Sequence, residues 1–262
     1  MSTAQLAPGG RLLPVSVALM RRNIMALIRL PSALVPSLIF PIFGTIAFSS
    51  VYGAAIRQYF PHVPTLNWYV PLNVLQGVAF GSVFVAFGSI RDFVSGVFDR
   101  LLLAPIARRA LLFSSIATGV VRSLLPFVIV VIIGWLGGMS LPGGAMALVM
   151  LFVTTMCTAL IGVCWGLGIA YRFKSFASGG IMQIGIFVLV FLSESQVPAR
   201  GLSGWLRFAA KINPATRLLR MGRQGFLGPV TWGETWPGLL AFAGLFAVVF
   251  VFAARGLKKL VP

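Results

Sequence analysis

The chain has 262 residues, of which 58% are hydrophobic and only 10% are charged. A soluble domain usually has about a quarter of its residues charged, so this composition excludes a globular protein in water and favours a membrane protein. The net charge is +17, and the basic residues that produce it lie between apolar runs long enough to span a membrane. We therefore expect these residues to contact anionic lipid headgroups and not nucleic acid.

The first predicted element is an amphipathic helix over residues 10–29. Apolar side chains recur there every three or four residues and form one stripe: Leu13, Val17, Met20, Ile24 and Leu27. The arginines Arg11, Arg22 and Arg29 fall together on the opposite side. We expect this helix to lie in the inner membrane interface with its arginines reaching headgroups. The alternative, an ordinary surface helix, would need a soluble core to pack on.

Six apolar stretches follow, each long enough for the roughly 20 residues that a membrane-spanning helix needs. Their predicted bounds are 31–56, 66–90, 117–137, 145–170, 175–193 and 235–254. The third and fourth share one charge-free run, and the Gly- and Pro-rich residues 137–144 mark the turn between them. The predicted fold class is therefore an all-α membrane protein with six transmembrane helices in one domain, residues 1–262.

Basic residues orient these spans by the positive-inside rule. The N-terminal segment, the loops after spans 2 and 4, and the C-terminal segment together carry 13 Lys and Arg, whereas the first two outer loops carry only Arg57. We therefore expect both termini to be cytoplasmic. Five aromatic residues would then form a belt at the outer interface: Tyr52, Tyr59, Trp68, Tyr69 and Trp135.

One predicted outer segment, residues 194–234, contradicts that rule because it carries six basic residues. They are Arg200, Arg207, Lys211, Arg217, Arg220 and Arg223. Its apolar patches are too short to cross a bilayer, so we expect short re-entrant helices in the outer leaflet, covered by protein. A seventh crossing is the alternative.

No residue pattern typical of catalysis or metal binding occurs in the sequence. A Gly-x-x-x-x-Gly-Lys-Ser/Thr phosphate loop is absent, so we expect no ATPase site in this chain. The four carboxylates are Asp92, Asp99, Glu194 and Glu234. All lie at the ends of predicted spans, whereas ion-coupled carriers usually keep such groups inside the bundle. Arg122 is the exception among charged residues, and we expect it to snorkel to the inner interface.

Two glycine pairs, Gly77 with Gly81 and Gly162 with Gly166, have the small-xxx-small spacing that lets membrane helices approach closely. This spacing favours helix packing and also allows a dimer seam.

The cytoplasmic loop 91–109 combines two of the four acids with an apolar face formed by Phe93, Val97 and Leu101. A solvated loop has no need of such a face, and Pro105 ends the helix that carries it. We therefore predict a short helix that docks on another protein.

Two groups of residues resemble features of a known family. In loop 91–109, the order Asp92, Gly96, Asp99, Arg100 and Leu101 to Pro105 is similar to an acidic-Gly-Leu-Leu-x-x-Pro loop, with Asp92 where Glu is common. Before the last span stand Pro198, Trp205, Asn213, Pro214 and Arg220, in the order of that family's outer segment. With the six spans, these features resemble the ABC-2 type transporter permeases, nearest to the daunorubicin-resistance-like branch.

The resemblance implies the permease subunit of an ATP-driven exporter in the bacterial inner membrane. Two permease chains, identical or homologous, would assemble with two copies of an ATPase chain that binds ATP and Mg. The implied coupling residues are Asp92, Phe93, Gly96, Phe98, Asp99, Arg100, Leu101 and Pro105.

The cargo that the residues favour is lipophilic or amphiphilic, such as a drug, polyketide or glycolipid, because the spans offer no carboxylate to neutralise a cation. An oligo- or polysaccharide is the alternative cargo. A carrier or channel that works without ATP, or a purely structural subunit, is the alternative function.

Overall fold

The computed structural model describes residues 12–29, 31–103 and 109–260, and all regular structure in these ranges is helical. The α-helices are α1 (Leu12–Ile28), α2 (Pro31–Val51), α3 (Gly53–Tyr59), α4 (Leu66–Val94), α5 (Val97–Leu103), α6 (Arg109–Leu136), α7 (Ala145–Phe173), α8 (Gly179–Phe191), α9 (Gly204–Ile212), α10 (Pro214–Leu227) and α11 (Trp232–Lys258). The predicted all-α character is confirmed.

Four of the described helices are long and apolar enough to cross a membrane, namely α4, α6, α7 and α11. At 1.5 Å per residue each is about 40 Å long, more than the roughly 30 Å of hydrocarbon. The bent pair of α2 and α3 makes a fifth span if it crosses as a unit. Helix α8 has 13 residues, about 20 Å, which is short for a crossing. The described residues thus support four or five spans, and the sixth stays a prediction.

The first predicted span, 31–56, is wrong as a continuous helix. The segments Leu38–Val51 and Gly53–Tyr59 meet at 69°. Tyr52 between them has φ −96° and ψ 7°, outside the helical region. The bend carries α3, with Arg57 in its last turn, away from the axis of α2. Hydropathy did not reveal it, because an apolar run has the same composition whether it is straight or bent.

Helix α4 is the centre of the fold and packs on α2, α6, α7 and α10. Its contact with α7 is close because a Cβ added at Gly162 would lie 2.7 Å from the Cβ of Ser82, and one at Gly166 2.8 Å from that of Ala86. Gly77 packs in the same manner on α2 and α6. These glycines therefore allow helices of the same chain to approach closely, so the small-xxx-small spacing serves packing within the chain.

Replacing Gly162 by valine is expected to destabilise the protein by about 1–3 kcal/mol, because the added side chain overlaps Ser82. Gly244→Val in α11 is the matched control, since a Cβ there meets no atom within 4 Å. The measurement is the thermal denaturation midpoint of the purified protein in detergent. Equal midpoints for the two variants would contradict the close α4–α7 contact.

Two predictions about individual side chains are wrong. Trp68 and Tyr69 are buried, so neither belongs to an outer aromatic belt. Arg122 is also buried and does not snorkel; its guanidinium lies over the Phe84 ring, 5.1 Å from the centroid. In each case a neighbouring helix covers a side that the sequence could not distinguish from a lipid-facing one.

The two ends of the bundle carry different structures. Helices α1 and α5 lie at the end where α4 finishes and α6 begins, which the positive-inside rule predicts to be cytoplasmic and which is called the inner end. At the other end, the Asn67 amide of α4 donates to the carbonyl oxygens of Ser140 at 2.9 Å and Phe226 at 2.6 Å. Helix α10 is held there between α4, α7 and α11. Each end contains one candidate site.

Candidate functional site

The inner site is built around the turn between α4 and α5. Gly96 has φ +69°, a left-handed conformation that L side chains rarely adopt. The amide of Ser95 donates to the carbonyl of Arg91 at 2.9 Å, and the amide of Gly96 to that of Phe93 at 3.1 Å, which ends α4. Helix α5 then packs against α4. The glycine in the predicted motif is thus the residue that makes the turn possible.

The aromatic residues of this turn face the protein itself. The rings of Phe93 and Phe98 have centroids 4.1 Å apart, and they lie 6.2 and 6.3 Å from the ring of Tyr171 in α7. Phe98 is only 4% exposed, and Leu101 packs against the same cluster. The apolar face that the sequence assigned to a partner protein therefore includes the residues that anchor α5 to the bundle.

Other residues of the turn point outward. Leu103 is 86% exposed, Val94 is exposed, and so are the basic side chains of Arg91 and Arg100. Leu103 lies within the predicted Leu101 to Pro105 motif, but neither it nor Val94 was among the predicted coupling residues. The outward position of Leu103 could not be predicted, because a helix of seven residues is too short for its apolar period to define one face.

Three of the predicted site positions lie outside the described residues: Arg11, Pro105 and the side chain of Asp99.

Helix α1 coincides with most of the predicted segment 10–29 and packs on α6. Leu13 of the predicted apolar stripe is exposed, whereas Leu19 packs against the core. Arg29 is exposed, as a residue that reaches headgroups would be. Helix α1 therefore contacts the bundle through a side other than the predicted apolar stripe, because α6 packs against that other side.

An ion pair between Arg22 and Asp92 joins α1 to the end of α4. Arg22, which was predicted to reach headgroups, thus has a carboxylate partner within the chain and remains partly exposed. Because both side chains are partly exposed, the pair adds at most about 1 kcal/mol to stability, and its main effect is to fix the position of α1.

A cavity of about 280 Å³ opens beside this ion pair, between α1, α4, α5 and α6. Apolar side chains such as Leu19 and Phe84 form one part of its wall, and the hydroxyl-bearing Ser114, Ser115 and Thr118 of α6 form another. A mixed wall of this kind fits a molecule with an apolar body and a polar end.

The outer site is centred on Glu194. Its carboxylate accepts two hydrogen bonds from the guanidinium of Arg220, of which the one from Nε is 3.0 Å long. Arg223 donates to the carbonyl oxygens of Glu194 at 3.0 Å and Ser195 at 3.2 Å, and lies 3.6 Å from the ring centroid of Trp68. Arg220 of α10 thus binds the carboxylate of Glu194, and Arg223 of α10 binds the backbone of residues 194 and 195.

Both arginines of this network are charged at neutral pH. The hydrogen bond to Glu194 raises the pKa of Arg220. Burial lowers the pKa of Arg223 to about 9. The face of the Trp68 ring and the two carbonyl oxygens also stabilise the positive charge of Arg223.

Two aromatic residues at the start of α4 donate hydrogen bonds to the backbone just after Glu194. Trp68 Nε1 donates to the carbonyl of Ser195 at 3.1 Å, and the Tyr69 hydroxyl donates to that of Gln196 at 2.9 Å. This is the physical reason why these two rings are buried and not in the belt.

The predicted Asn213-Pro214 pair fixes the start of α10. The Asn213 side chain accepts from the amide of Ala215 at 2.9 Å and donates to the carbonyl of Leu189 at 2.8 Å. Pro214 occupies the first turn, where no amide hydrogen is needed. Of the other predicted residues, Pro198 is buried and Trp205 is exposed on α9.

The segment 194–234 contains α9 and α10, of 9 and 14 residues, and neither is long enough to cross a bilayer. Nothing in the described ranges forms a group of three His, Cys, Asp or Glu side chains that could hold a metal ion.

The sequence matches the ABC-2 type transporter family model over residues 15–227. A curated relative is the daunorubicin resistance ABC transporter permease protein DrrB1 of Streptomyces coeruleorubidus. It is 25% identical over 229 residues, which cover 87% of this chain and 80% of the relative. The matched region includes the turn at Gly96 and the network around Glu194.

Proposed function

Because the chain belongs to the ABC-2 type transporter family, we propose that it is the permease subunit of an ATP-driven exporter and works with a separate ATPase chain. The observation that carries this proposal is the Gly96 turn, which holds α5 at the inner end of the bundle with Arg100 and Leu103 exposed. The ATPase would bind ATP and Mg. Two ATPase copies and a second permease chain, identical or homologous, would complete the complex.

Two contacts support a role for α5 in coupling. The Phe93–Phe98–Tyr171 cluster ties it to α7, and the Arg22–Asp92 pair ties the end of α4 to α1. Packed interiors resist compression, so a displacement of α5 by the ATPase moves these helices with it. The movement is thereby passed to the bundle and opens or closes the export pathway.

The proposed cargo is a lipophilic or amphiphilic molecule. The mixed wall of the 280 Å³ cavity beside α1 suits such a molecule and lies where it would arrive from the inner leaflet. Among the described residues of the spans, the carboxylates Asp92 and Glu234 lie only at the ends, so these spans offer no counter-ion for a cation midway across the membrane. The curated relative is named for daunorubicin resistance, which also favours a drug-like cargo.

The test is purification and reconstitution. The tagged chain, expressed with its chromosomal neighbours, is expected to co-elute with an ATPase, and the complex is expected to hydrolyse ATP whereas the chain alone does not. Lipophilic compounds should raise that rate above its basal level. Transport by the chain alone without ATP would favour a carrier, and stimulation by an undecaprenyl-linked glycan but not by lipophilic compounds would favour a saccharide exporter.

Orientation is a separate prediction. Single cysteines at Arg100 and Lys258 should resist an impermeant thiol reagent in intact cells, and those at His62 and Gly201 should react. The native Cys157 and Cys164 are buried and serve as a low background. Labelling at 201 only after permeabilisation would overturn the proposed orientation and favour a seventh crossing.

A further inference from the structure

We propose that α9 and α10 form a binding site for the headgroup of an anionic phospholipid in the outer leaflet. The proposal needs the outer end of the bundle to lie at the membrane surface. It depends neither on the ATPase partner nor on the cargo.

The first observation is the exposed apolar face of α9. Trp205, Phe208 and Ile212 are 72%, 67% and 67% exposed and stand at positions i, i+3 and i+7. They therefore form one stripe along a two-and-a-half-turn helix. The opposite side of α9 is fixed to the protein by the buried Ala210. A stripe of this size on a membrane protein is covered by acyl chains, which places α9 in the plane of the interface.

The second observation is a basin of about 550 Å³ beside that stripe, within the range of small-molecule sites. Its wall includes the cations Arg207 and Lys211 of α9 and Arg217 and Arg220 of α10, but a single carboxylate, Glu194.

That carboxylate is already bound to Arg220. Glu234, the other acid at this end, acts on Arg220 at longer range. Within the described ranges, Arg207, Lys211 and Arg217 have no carboxylate within 4 Å. The basin therefore presents three uncompensated positive charges around an open volume, which is complementary to a phosphate and not to a zwitterionic or cationic group.

The two observations together select the occupant. Arg207 and Lys211 lie one turn apart on a helix edge next to the apolar stripe. A molecule that meets both surfaces at once has an anionic head beside acyl chains. Free phosphate would meet only the charges. Exposed tryptophans at the start of α11, Trp232 and Trp236, are typical of residues at the interfacial level.

The experiment uses Trp205 as its reporter. The full chain is placed in phosphatidylcholine nanodiscs that contain a minor fraction of brominated phosphatidylglycerol or, at the same fraction, brominated phosphatidylcholine. A Trp205→Phe chain gives the blank, so the difference in quenching belongs to Trp205. Since each Lys or Arg near an anionic surface contributes about a fivefold preference, quenching should favour phosphatidylglycerol at least about fivefold.

The triple variant Arg207→Gln/Lys211→Gln/Arg217→Gln should bring this preference close to one. The matched control, Arg255→Gln/Lys258→Gln/Lys259→Gln, removes three exposed charges at the other end and should leave it unchanged. A wild-type preference near one, or equal effects of the two triple variants, would overturn the proposal. So would loss of the preference with inorganic phosphate but not with sodium chloride of equal ionic strength, since that result identifies a free-phosphate site.

Discussion

Replacing Glu194 by alanine is expected to destabilise the outer end of the bundle by about 1–3 kcal/mol, because it leaves Arg220 without its carboxylate and removes a negative charge that acts on the buried Arg223. Arg223 is only 2% exposed, so it cannot turn to water to recover the lost interaction. Arg220 is about one-third exposed, which reduces its share of the effect. The carbonyl oxygens of residues 194 and 195 would still accept hydrogen bonds from Arg223, but they carry no net charge.

The measurement is the denaturation midpoint of the purified chain in detergent, with Glu234→Ala as the control. Glu234 lies at the same end and makes no ion pair with any described residue. The double variant Glu194→Gln/Arg220→Gln should recover part of the loss, because it removes a charge together with its partner. If Glu194→Ala costs no more than Glu234→Ala, the network does not hold the outer end together.

A pair of substitutions in α5 is expected to separate folding from coupling. Phe98→Asp should abolish the folded protein, since truncating a buried phenylalanine costs about 3–5 kcal/mol and burying a carboxylate costs more. Leu103→Asp should change stability by less than about 0.5 kcal/mol, because that side chain is 86% exposed. If Leu103 contacts the ATPase, a charge there should weaken association and transport by about tenfold or more.

Both variants are compared by the amount of monodisperse protein extracted from the membrane and by co-elution of the ATPase. Leu136→Asp is the control for Leu103→Asp, because Leu136 is a similarly exposed leucine at the other end of the bundle. If both leucine variants keep ATPase association and transport, the ATPase docks elsewhere than on the outward face of α5.

Several features could be predicted from the sequence because they depend on local composition. The spans 66–90 and 145–170 lie within α4 and α7, since length and hydropathy alone identify an apolar helix of that size. The turn at Gly96 and the start of α10 at Asn213 were also accessible, because a left-handed turn and a helix cap require particular residue types at one position. The same local patterns support the family resemblance.

The tertiary structure alone decided which side of each helix faces protein. Helix α5 is too short for its apolar period to define one face, so periodicity could not place Phe98 inside and Leu103 outside. Nor could it bury Trp68 or Arg122. The Arg22–Asp92 pair spans 70 residues of sequence. Such contacts arise only when helices far apart in the chain pack together, because no local pattern records which helix becomes the neighbour of another.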